Sequence, residues 1–334
     1  MRIFPIFAIY NHPSVCYNLK VRKLFEIERT EKMSVIFSSI ANLLLFVIIG
    51  YVLAKLGKLN SEHAKILSSL LVWVFLPCKM FRGFSSTFNS EYLRTKWAIL
   101  VASMVMLIVS VTIVSLIVPR VVKHDRAIIK YSVLISNYGY IGYAMCESIY
   151  GESMMSDMMF AALPFSLYVY TEGYRMLMGH EKISLRRLIN PIFVGIFIGC
   201  IFGITGLKLP AILDKITIDA SSCMAPVSML LAGITVSEFP IREMVSDRRV
   251  YLVSLVKLLV FPLAVILALS QILPRNFVIP ISMLFLVPCG LNTVVFPKMV
   301  GGNYKLGASI AFVSTLMSIV TMPICMKALD LLCK

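Results

Sequence analysis

Two short segments rich in asparagine, glycine and proline interrupt long apolar stretches of this chain. The residues in them that could bind a ligand are Asn137, Gly139 and Gly142 in the first segment and Pro288, Gly290 and Asn292 in the second. Glycine and proline weaken or break a helix, and an asparagine amide both donates and accepts hydrogen bonds. The N-termini of half-helices carry partial positive charge and bind anions. The segments therefore predict a binding site for an anionic substrate. A structural hydrogen bond between helices is the alternative for each asparagine.

Two charged residues inside apolar stretches are further candidates. Lys257 lies well within one stretch, and a cation inside a membrane is energetically costly and marks a functional site. We expect it to neutralise the substrate, or else to reach the interface or pair with Glu147 or Asp219. Glu147 lies at the end of another stretch. Its carboxylate is a candidate for coupling proton movement, and an interfacial position is the alternative.

The composition predicts the class of protein that positions these residues. Of the 334 residues, 59% are hydrophobic and 15% are charged, and the mean hydropathy is +0.87. A soluble domain is about half apolar and about a quarter charged. The apolar residues come in long blocks rather than in alternation, and about 20 helical residues cross a bilayer. The sequence therefore predicts an all-α integral membrane protein and not a β-barrel.

Ten apolar blocks are predicted to span the membrane. They cover residues 35–53, 66–81, 97–118, 128–147, 154–174, 188–207, 216–236, 250–270, 278–299 and 306–329. This division gives a first five-helix half in residues 33–180 and a second half in residues 181–334. Residues 1–32 form a basic tail of different composition.

The basic residues predict the orientation of the protein. The net charge is +15, and most of the loop Lys and Arg residues follow odd-numbered spans, as expected of cytoplasmic loops. Both termini are then predicted to lie outside the cytoplasm, in what we expect to be a bacterial plasma membrane. The tail opposes this orientation, so we expect the functional chain to begin at Met33. Basic residues spread over loops do not form the single basic face that nucleic-acid binding needs.

Several unusual residues recur at a nearly constant offset along the chain. The pairs are Pro77 with Pro226, Asn137 with Asn292, and Pro164 with Pro323. Each pair occupies the equivalent span of a five-helix half. Because five is odd, the halves must insert with opposite topology. Such inverted repeats are typical of secondary transporters, which bind substrate between the repeats near the membrane midplane.

The motifs of membrane-embedded enzymes and metal sites are missing from the sequence. It contains no HExxH or GxSxG motif, and the four histidines lie in the tail or in loops. Most of the eight cysteines lie inside apolar blocks without CxxC spacing, which favours a packing role. We therefore predict a protein that is not an enzyme and that needs no metal or cofactor.

From about residue 35 to its end, the chain resembles the auxin efflux carrier family. The residues that carry the resemblance are Gly50-Tyr51-Val52-Leu53, Gly57-Lys58-Leu59, Leu76-Pro77, Ser136-Asn137 with Gly142, Asn190-Pro191, Ala225-Pro226, Leu231-Ala232-Gly233, Phe261-Pro262, Pro288–Asn292 and Met322-Pro323. The family usually has a proline shortly after the glycine of span four. This chain has Tyr143 and Ala144 there, so we expect Gly139 and Gly142 to supply the break.

The resemblance implies an architecture and a function. Ten helices would form two inverted five-helix repeats, in which helices 1, 2, 6 and 7 build a scaffold that often dimerises. Helices 3–5 and 8–10 would form a transport domain in which helices 4 and 9 cross as broken helices beside the substrate. Plant members of the family export auxin, and bacterial members are associated with malate, malonate and similar carboxylates.

The leading hypothesis is therefore a carrier that moves a small organic anion by alternating access. A sodium-coupled symporter of the bile-acid type is the nearest alternative. The spans contain no obvious cluster of carboxylates for sodium, which favours the first hypothesis. A channel is a third possibility.

Overall fold

The computed structural model describes residues 34, 38, 41–178, 191–299 and 304–333. Among them every regular element is helical, and the only β-type pairing is one isolated bridge. The helices are α1 (Ala41–Lys55), α2 (Ser61–Thr87), α3 (Ser90–Val121), α4a (Arg126–Leu134), α4b (Tyr138–Gly142 and Tyr143–Tyr150), α5a (Glu152–Ala161), α5b (Leu163–Tyr168, Val169–Gly173 and Tyr174–Leu177), α6 (Pro191–Thr205), α7 (Ala211–Ser237), α8 (Arg248–Ser270), α9a (Arg275–Leu286), α9b (Asn292–Met299) and α10 (Lys305–Leu332). One further helical turn, Ile241–Met244, lies between α7 and α8. The basic tail predicted in residues 1–32 lies outside the described residues.

Five of these helices are long and apolar enough to cross a membrane, namely α2, α3, α7, α8 and α10. The helices α1, α6 and α9a are apolar but shorter. Large apolar side chains such as Trp73 and Phe197 point outward with 69% and 66% of their surface exposed. In a bilayer the lipid tails cover such faces, so the fold is that of an integral membrane protein.

Helix α2 is longer than the span predicted at residues 66–81. It begins at Ser61, where the Asn60 side chain accepts hydrogen bonds from two backbone N–H groups of the first turn, and it continues to Thr87. Such a cap satisfies donors that have no intrahelical partner. The hydropathy pattern placed the end of the span near Lys79, but Lys79 and Arg82 both lie within the helix.

Helices α2 and α6 pack backbone to backbone. A Cβ atom added at Gly195 would lie 2.5 Å from the carbonyl oxygen of Pro77, and one at Gly203 would lie 2.3 Å from that of Phe88. At Gly199, between them, an added Cβ would lie 2.7 Å from the carbonyl oxygen of Phe81. The GxxxGxxxG pattern of α6 is therefore a contact within one chain, made by the small-residue mode of membrane helices.

Helices α1 and α7 meet in the same way. An added Cβ at Gly233 would lie 2.0 Å from the carbonyl oxygen of Val47, and one at Gly50 would lie 2.3 Å from that of Leu230. Helix α7 also packs against α2. Backbone contacts thus join α1, α2, α6 and α7 into one unit, which we call the scaffold group.

Ion pairs join the remaining helices near their ends. Arg249 at the start of α8 lies 3.2 Å from Asp125, which precedes α4a. Arg275 of α9a pairs with Asp330 of α10. Asp247 caps α8 by accepting the Arg249 backbone N–H at 2.9 Å, and the Arg249 guanidinium holds the pKa of Asp247 below its ordinary value.

Candidate functional site

Two breaks in the helices meet inside the bundle. Helix α4a ends at Leu134 and α4b begins at Tyr138, while α9a ends at Leu286 and α9b begins at Asn292. An antiparallel bridge pairs Ser136 with Cys289 across the two gaps. We call this contact between residues 135–137 and 287–291 the crossing.

Two backbone hydrogen bonds form the bridge. The Asn137 N–H donates to the Pro288 carbonyl at 2.7 Å, and the Gly290 N–H donates to the Ile135 carbonyl at 3.2 Å. A Cβ added at Gly290 would lie 3.2 Å from the Ser136 oxygen, so glycine permits this close approach. The bridge satisfies backbone groups that the breaks release and that cannot stay unpaired in lipid.

The second break follows directly from its proline. Proline lacks an N–H group and forces the residue before it into extended conformation, and Val287 has φ −84° and ψ 156°. The first break contains no proline. It begins at Ile135 with φ −108° and ψ 119°, and it continues through Ser136 and Asn137, two residue types whose side chains compete with helical backbone bonds.

The expectation that Gly139 and Gly142 supply the first break needs revision. The helix is already interrupted at residues 135–137, and both glycines lie beyond it in the π-helical turn that opens α4b. Gly142 serves close packing, because an added Cβ would lie 2.8 Å from the terminal methyl of Met158 on α5a. Gly139 has open space where a side chain would be.

The two asparagines occupy different environments at the crossing. The Asn292 amide donates to the hydroxyl of the fully buried Tyr131 at 3.0 Å. The Asn137 side chain is 6% exposed and forms no hydrogen bond with any described residue. In the antiparallel register of the bridge, Asn137 lies opposite Pro288, whereas Asn292 lies beyond the bridge at the start of α9b. The amides are therefore not equivalent, and only that of Asn137 is free.

Asn137 separates two small cavities. One cavity of about 70 Å³ is uncharged, and its lining includes Asn137, Gly139, Tyr140, Tyr170, Gly290 and Asn292. The other, of about 40 Å³, lies towards α7 and α10 and is lined by Asn137, Thr235, Phe312 and Thr315 among others. The structure thus brings four of the predicted site residues together around one cavity. Pro288 contributes its carbonyl to the bridge instead.

A larger cavity of about 700 Å³ lies between the scaffold group and α4b, and we call it the vestibule. Its charged lining residues are Lys79, Arg82, Glu147 and Glu152. Lys79 of α2 lies 2.8 Å from Glu147 of α4b, and Arg82 lies 2.8 Å from Asp214 of α7. The predicted coupling residue Glu147 therefore lines the vestibule and not the crossing.

Lys79 was not predicted as a site residue, yet it is 8% exposed and paired inside the bundle. Asp157 of α5a was not predicted at all. It is buried and lies 2.6 Å from the Lys96 ammonium, and it accepts a hydrogen bond from the Tyr92 hydroxyl at 2.7 Å. The signal for both residues was a charge inside an apolar span. The sequence could not reveal which helix carries the partner.

Lys257 has none of its predicted partners. It is 0% exposed and lies on α8, away from the cavities described above. Glu147 pairs with Lys79, and Asp219 pairs with Lys215 at 2.8 Å. The Lys257 ammonium has no hydrogen-bond partner among the described residues and lies 5.8 Å from the centroid of the Phe285 ring.

Apolar helices exposed to lipid, interrupted helices and internal cavities together define a membrane protein built for transport. The sequence matches the membrane transport protein family over residues 35–184 and 179–326, one segment for each half, and the chain belongs to that family. The resemblance to auxin efflux carriers is thereby confirmed at the level of the family. Transporters, not enzymes, make up the matched group.

Two relatives have similar length and no assigned substrate. An uncharacterized transporter of Methanocaldococcus jannaschii is 25% identical over 296 residues, which cover 83% of this chain and 93% of the relative. An uncharacterized transporter of Methanothermobacter thermautotrophicus is 24% identical over 301 residues, covering 86% of this chain and 96% of the relative. These similarities support transport as the function. The class of substrate must be inferred from the chemistry of the site.

Proposed function

We propose that this protein is a secondary transporter that carries a small organic anion, a mono- or dicarboxylate, across a membrane by alternating access. The observation that supports this most strongly is the free amide of Asn137 at a crossing of two half-helices. The Asn137 amide lines two cavities without a protein partner, so its N–H groups are available to a ligand that accepts hydrogen bonds.

The chemistry of the crossing favours an anion. Helices α4b and α9b both begin at the crossing, and the first N–H groups of a helix have no intrahelical acceptor. Each N-terminus carries about half a positive elementary charge. No acidic residue lines the uncharged cavity, so no charge within this lining repels a carboxylate.

The lining of the same cavity favours an organic anion over an inorganic one. Leu76, Met80, Val169 and Ile192 provide an apolar wall beside several tyrosine rings. In this conformation the cavity has a volume of about 70 Å³, the share of about two liquid water molecules. A dicarboxylate would therefore require the helices around the crossing to move apart.

We propose that the vestibule is the route to the site. Lys79 and Arg82 place two cationic groups along it, which an entering carboxylate could bind in exchange for their present partners, and both residues belong to α2 of the scaffold group. Because the Lys79–Glu147 pair joins α2 to α4b, movement of the crossing against the scaffold would break or shift this pair.

The wider arrangement completes the proposal. Ten spans in two inverted repeats would place helices 1, 2, 6 and 7 in a scaffold and helices 3–5 and 8–10 in a transport domain, with both termini outside the cytoplasm of a plasma membrane. A homodimer would form through the scaffold. Because the glycine face of α6 is occupied by α2, such a dimer would use outward residues such as Phe197.

A thermal-shift screen of the purified protein against mono- and dicarboxylates tests the proposal. Saturation at 100 times the dissociation constant stabilises a protein by about 2.7 kcal/mol, which raises the melting temperature by several degrees. Asn137→Ala should abolish the shift without lowering the melting temperature of the free protein. Asn276→Ala, at an exposed position of α9a, is the matched control and should keep the shift.

Uptake of the radiolabelled hit into proteoliposomes should then depend on Asn137 in the same way. An Asn137→Ala variant that binds and transports like the unmodified protein would remove the crossing from the proposed site. Unitary conductance in a planar bilayer would indicate a channel instead.

A further inference from the structure

The interior behind the crossing contains a concentration of unpartnered polar groups. Among the described residues, five buried side-chain N or O atoms have no hydrogen-bond partner, and all five belong to α4a, the first break, α8 or α9a. They are in Ser132, Ser136, Ser254, Lys257 and Ser282. Buried polar groups are normally paired, so packing alone does not account for these five residues.

Cys289 connects these residues to the crossing, because it forms the bridge with Ser136. Lys257 faces the ring of Phe285, which lies in the last turn of α9a. The ammonium is therefore held beside the C-terminal end of α9a.

The C-terminal end of α9a has lost its usual hydrogen-bond donors. Helical carbonyls bond the N–H four residues ahead. Pro288 has no N–H, the Cys289 N–H donates to the Ser314 hydroxyl at 3.1 Å, and the Gly290 N–H donates to the Ile135 carbonyl. The carbonyls of the last turn, at residues 284–286, are thus freed of their helical partners.

The C-terminus of α4a adds to the negative charge at the crossing. Helix α4a also ends at the crossing, so two C-termini, each with about half a negative elementary charge, meet there. In discontinuous transporter helices, such C-terminal ends and unwound carbonyls hold a coupling cation. Here the ammonium of Lys257 lies beside the end of α9a, and it is supplied by the segment of α8 that packs against both α4a and α9a.

Three simpler roles for Lys257 do not fit its surroundings. It cannot reach the interface, because its side chain is wholly buried. It forms no ion pair with a carboxylate among the described residues, and its ammonium has no hydrogen-bond partner there. It does not line the cavities of the crossing, so in this conformation it acts on the substrate only through the crossing.

We propose that Lys257 is a tethered cation that takes the place of a coupling metal ion. Its ammonium neutralises the negative half-helix ends at the crossing, so that the transporter binds its anion without sodium. Removal of the ammonium would leave freed carbonyls and serine hydroxyls, the oxygen ligands that a monovalent cation such as Na⁺ takes. This inference rests on the proposed transport function and makes Lys257 a positioning residue.

The test compares unmodified protein with Lys257→Met, which keeps the length of the side chain and removes the charge. Melting temperatures are measured with Na⁺ alone against N-methylglucamine, without any organic anion. Sodium should leave the unmodified protein unchanged and raise the melting temperature of Lys257→Met by several degrees. Lys327→Met, which changes an exposed lysine of α10, should behave like the unmodified protein.

Binding of the carboxylate identified by the screen provides a second readout. In N-methylglucamine, Lys257→Met should bind it at least tenfold more weakly, and Na⁺ should restore much of the loss. A Lys257→Met protein that binds equally well without sodium and shows no sodium shift would overturn the proposal.

The proposal remains testable even where Lys257→Met does not fold. If carboxylate binding by the unmodified protein requires Na⁺, that result alone would overturn the proposal that Lys257 replaces a coupling ion. Equal affinity in Na⁺ and N-methylglucamine would support the proposal. Failure of the proposed function looks different, because the unmodified protein would then bind no carboxylate in either salt while the sodium shift of Lys257→Met would persist.

Discussion

The scaffold group and the crossing differ in how their helices contact one another. In the scaffold group, glycines bring backbones together, as at Gly233, where the nearest atom is the carbonyl oxygen of Val47 and not a flexible side chain. At the crossing, the helices themselves are interrupted, and the Asn137 amide lacks a partner. Tight backbone packing favours movement as one body, whereas unpartnered groups favour a segment that changes when a ligand binds.

The largest effect should come from adding one methyl group to the scaffold. Gly233→Ala would place a Cβ 2.0 Å from a carbonyl oxygen, and overpacking against backbone costs about 3 kcal/mol. Gly139→Ala is the matched control at the crossing, where an added Cβ meets open space. We expect a large drop in melting temperature or loss of folded protein for Gly233→Ala only. Equal melting temperatures for the two variants would contradict the contrast between the regions.

Substitution of Asn292, whose amide is hydrogen-bonded, should lower stability, whereas substitution of Asn137 should not. Asn292→Ala leaves the buried Tyr131 hydroxyl without its partner, which costs about 1–3 kcal/mol. Tyr131→Phe removes the same bond from the other side. Chemical denaturation should show that the double variant loses less than the sum of the two single variants. Additive losses would indicate that this hydrogen bond contributes nothing.

Removal of the Lys79–Glu147 ion pair, which joins the scaffold group to α4b, should have a smaller effect, and we expect to see it in the rate of transport. Lys79→Met removes the contact between α2 and α4b, and a partly exposed pair contributes about 1 kcal/mol at most. The uptake rate should change by up to about fivefold, and the charge-swapped pair Lys79→Glu with Glu147→Lys should recover part of it. Lys215→Met breaks an exposed pair within α7 and should leave uptake unchanged.

The smallest effect concerns the cap of α8 at the surface. Because Arg249 lowers the pKa of Asp247 in the folded protein, the carboxylate stabilises the fold above its unfolded pKa of about 3.9. This contribution is lost as the pH falls through the folded pKa. Asn also caps helices, so Asp247→Asn should keep the cap and show a weaker loss of melting temperature between pH 5 and about 3 than the unmodified protein. Identical pH profiles would contradict this assignment.

The sequence was sufficient for the class and the family, and its two segments rich in asparagine, glycine and proline include the residues at which α4b and α9b begin. Long apolar blocks predict membrane helices, and Pro288 marks the second break because proline acts locally. The first break was attributed to Gly139 and Gly142, but it begins at Ile135, where no single residue forces it. The bridge to residues 287–291 stabilises that conformation, and such a tertiary contact leaves no local signal in the sequence.

The partners of charged residues were not predictable for the same reason. Lys79 and Glu147 lie on helices distant in the sequence, and only the packing of α4b against α2 shows that they pair. Lys257 was recognised as unusual, but its predicted partners are engaged elsewhere. The register of the bridge, which separates the roles of Asn137 and Asn292, also depends on tertiary structure.

An experimental structure with a bound carboxylate tests the central claim most directly. Our account predicts the carboxylate between the N-termini of α4b and α9b, within about 2.7–3.2 Å of the Asn137 amide nitrogen and of backbone N–H groups. A carboxylate held by Lys79 and Arg82 in the vestibule, with an unoccupied crossing in a protein that transports it, would contradict the account.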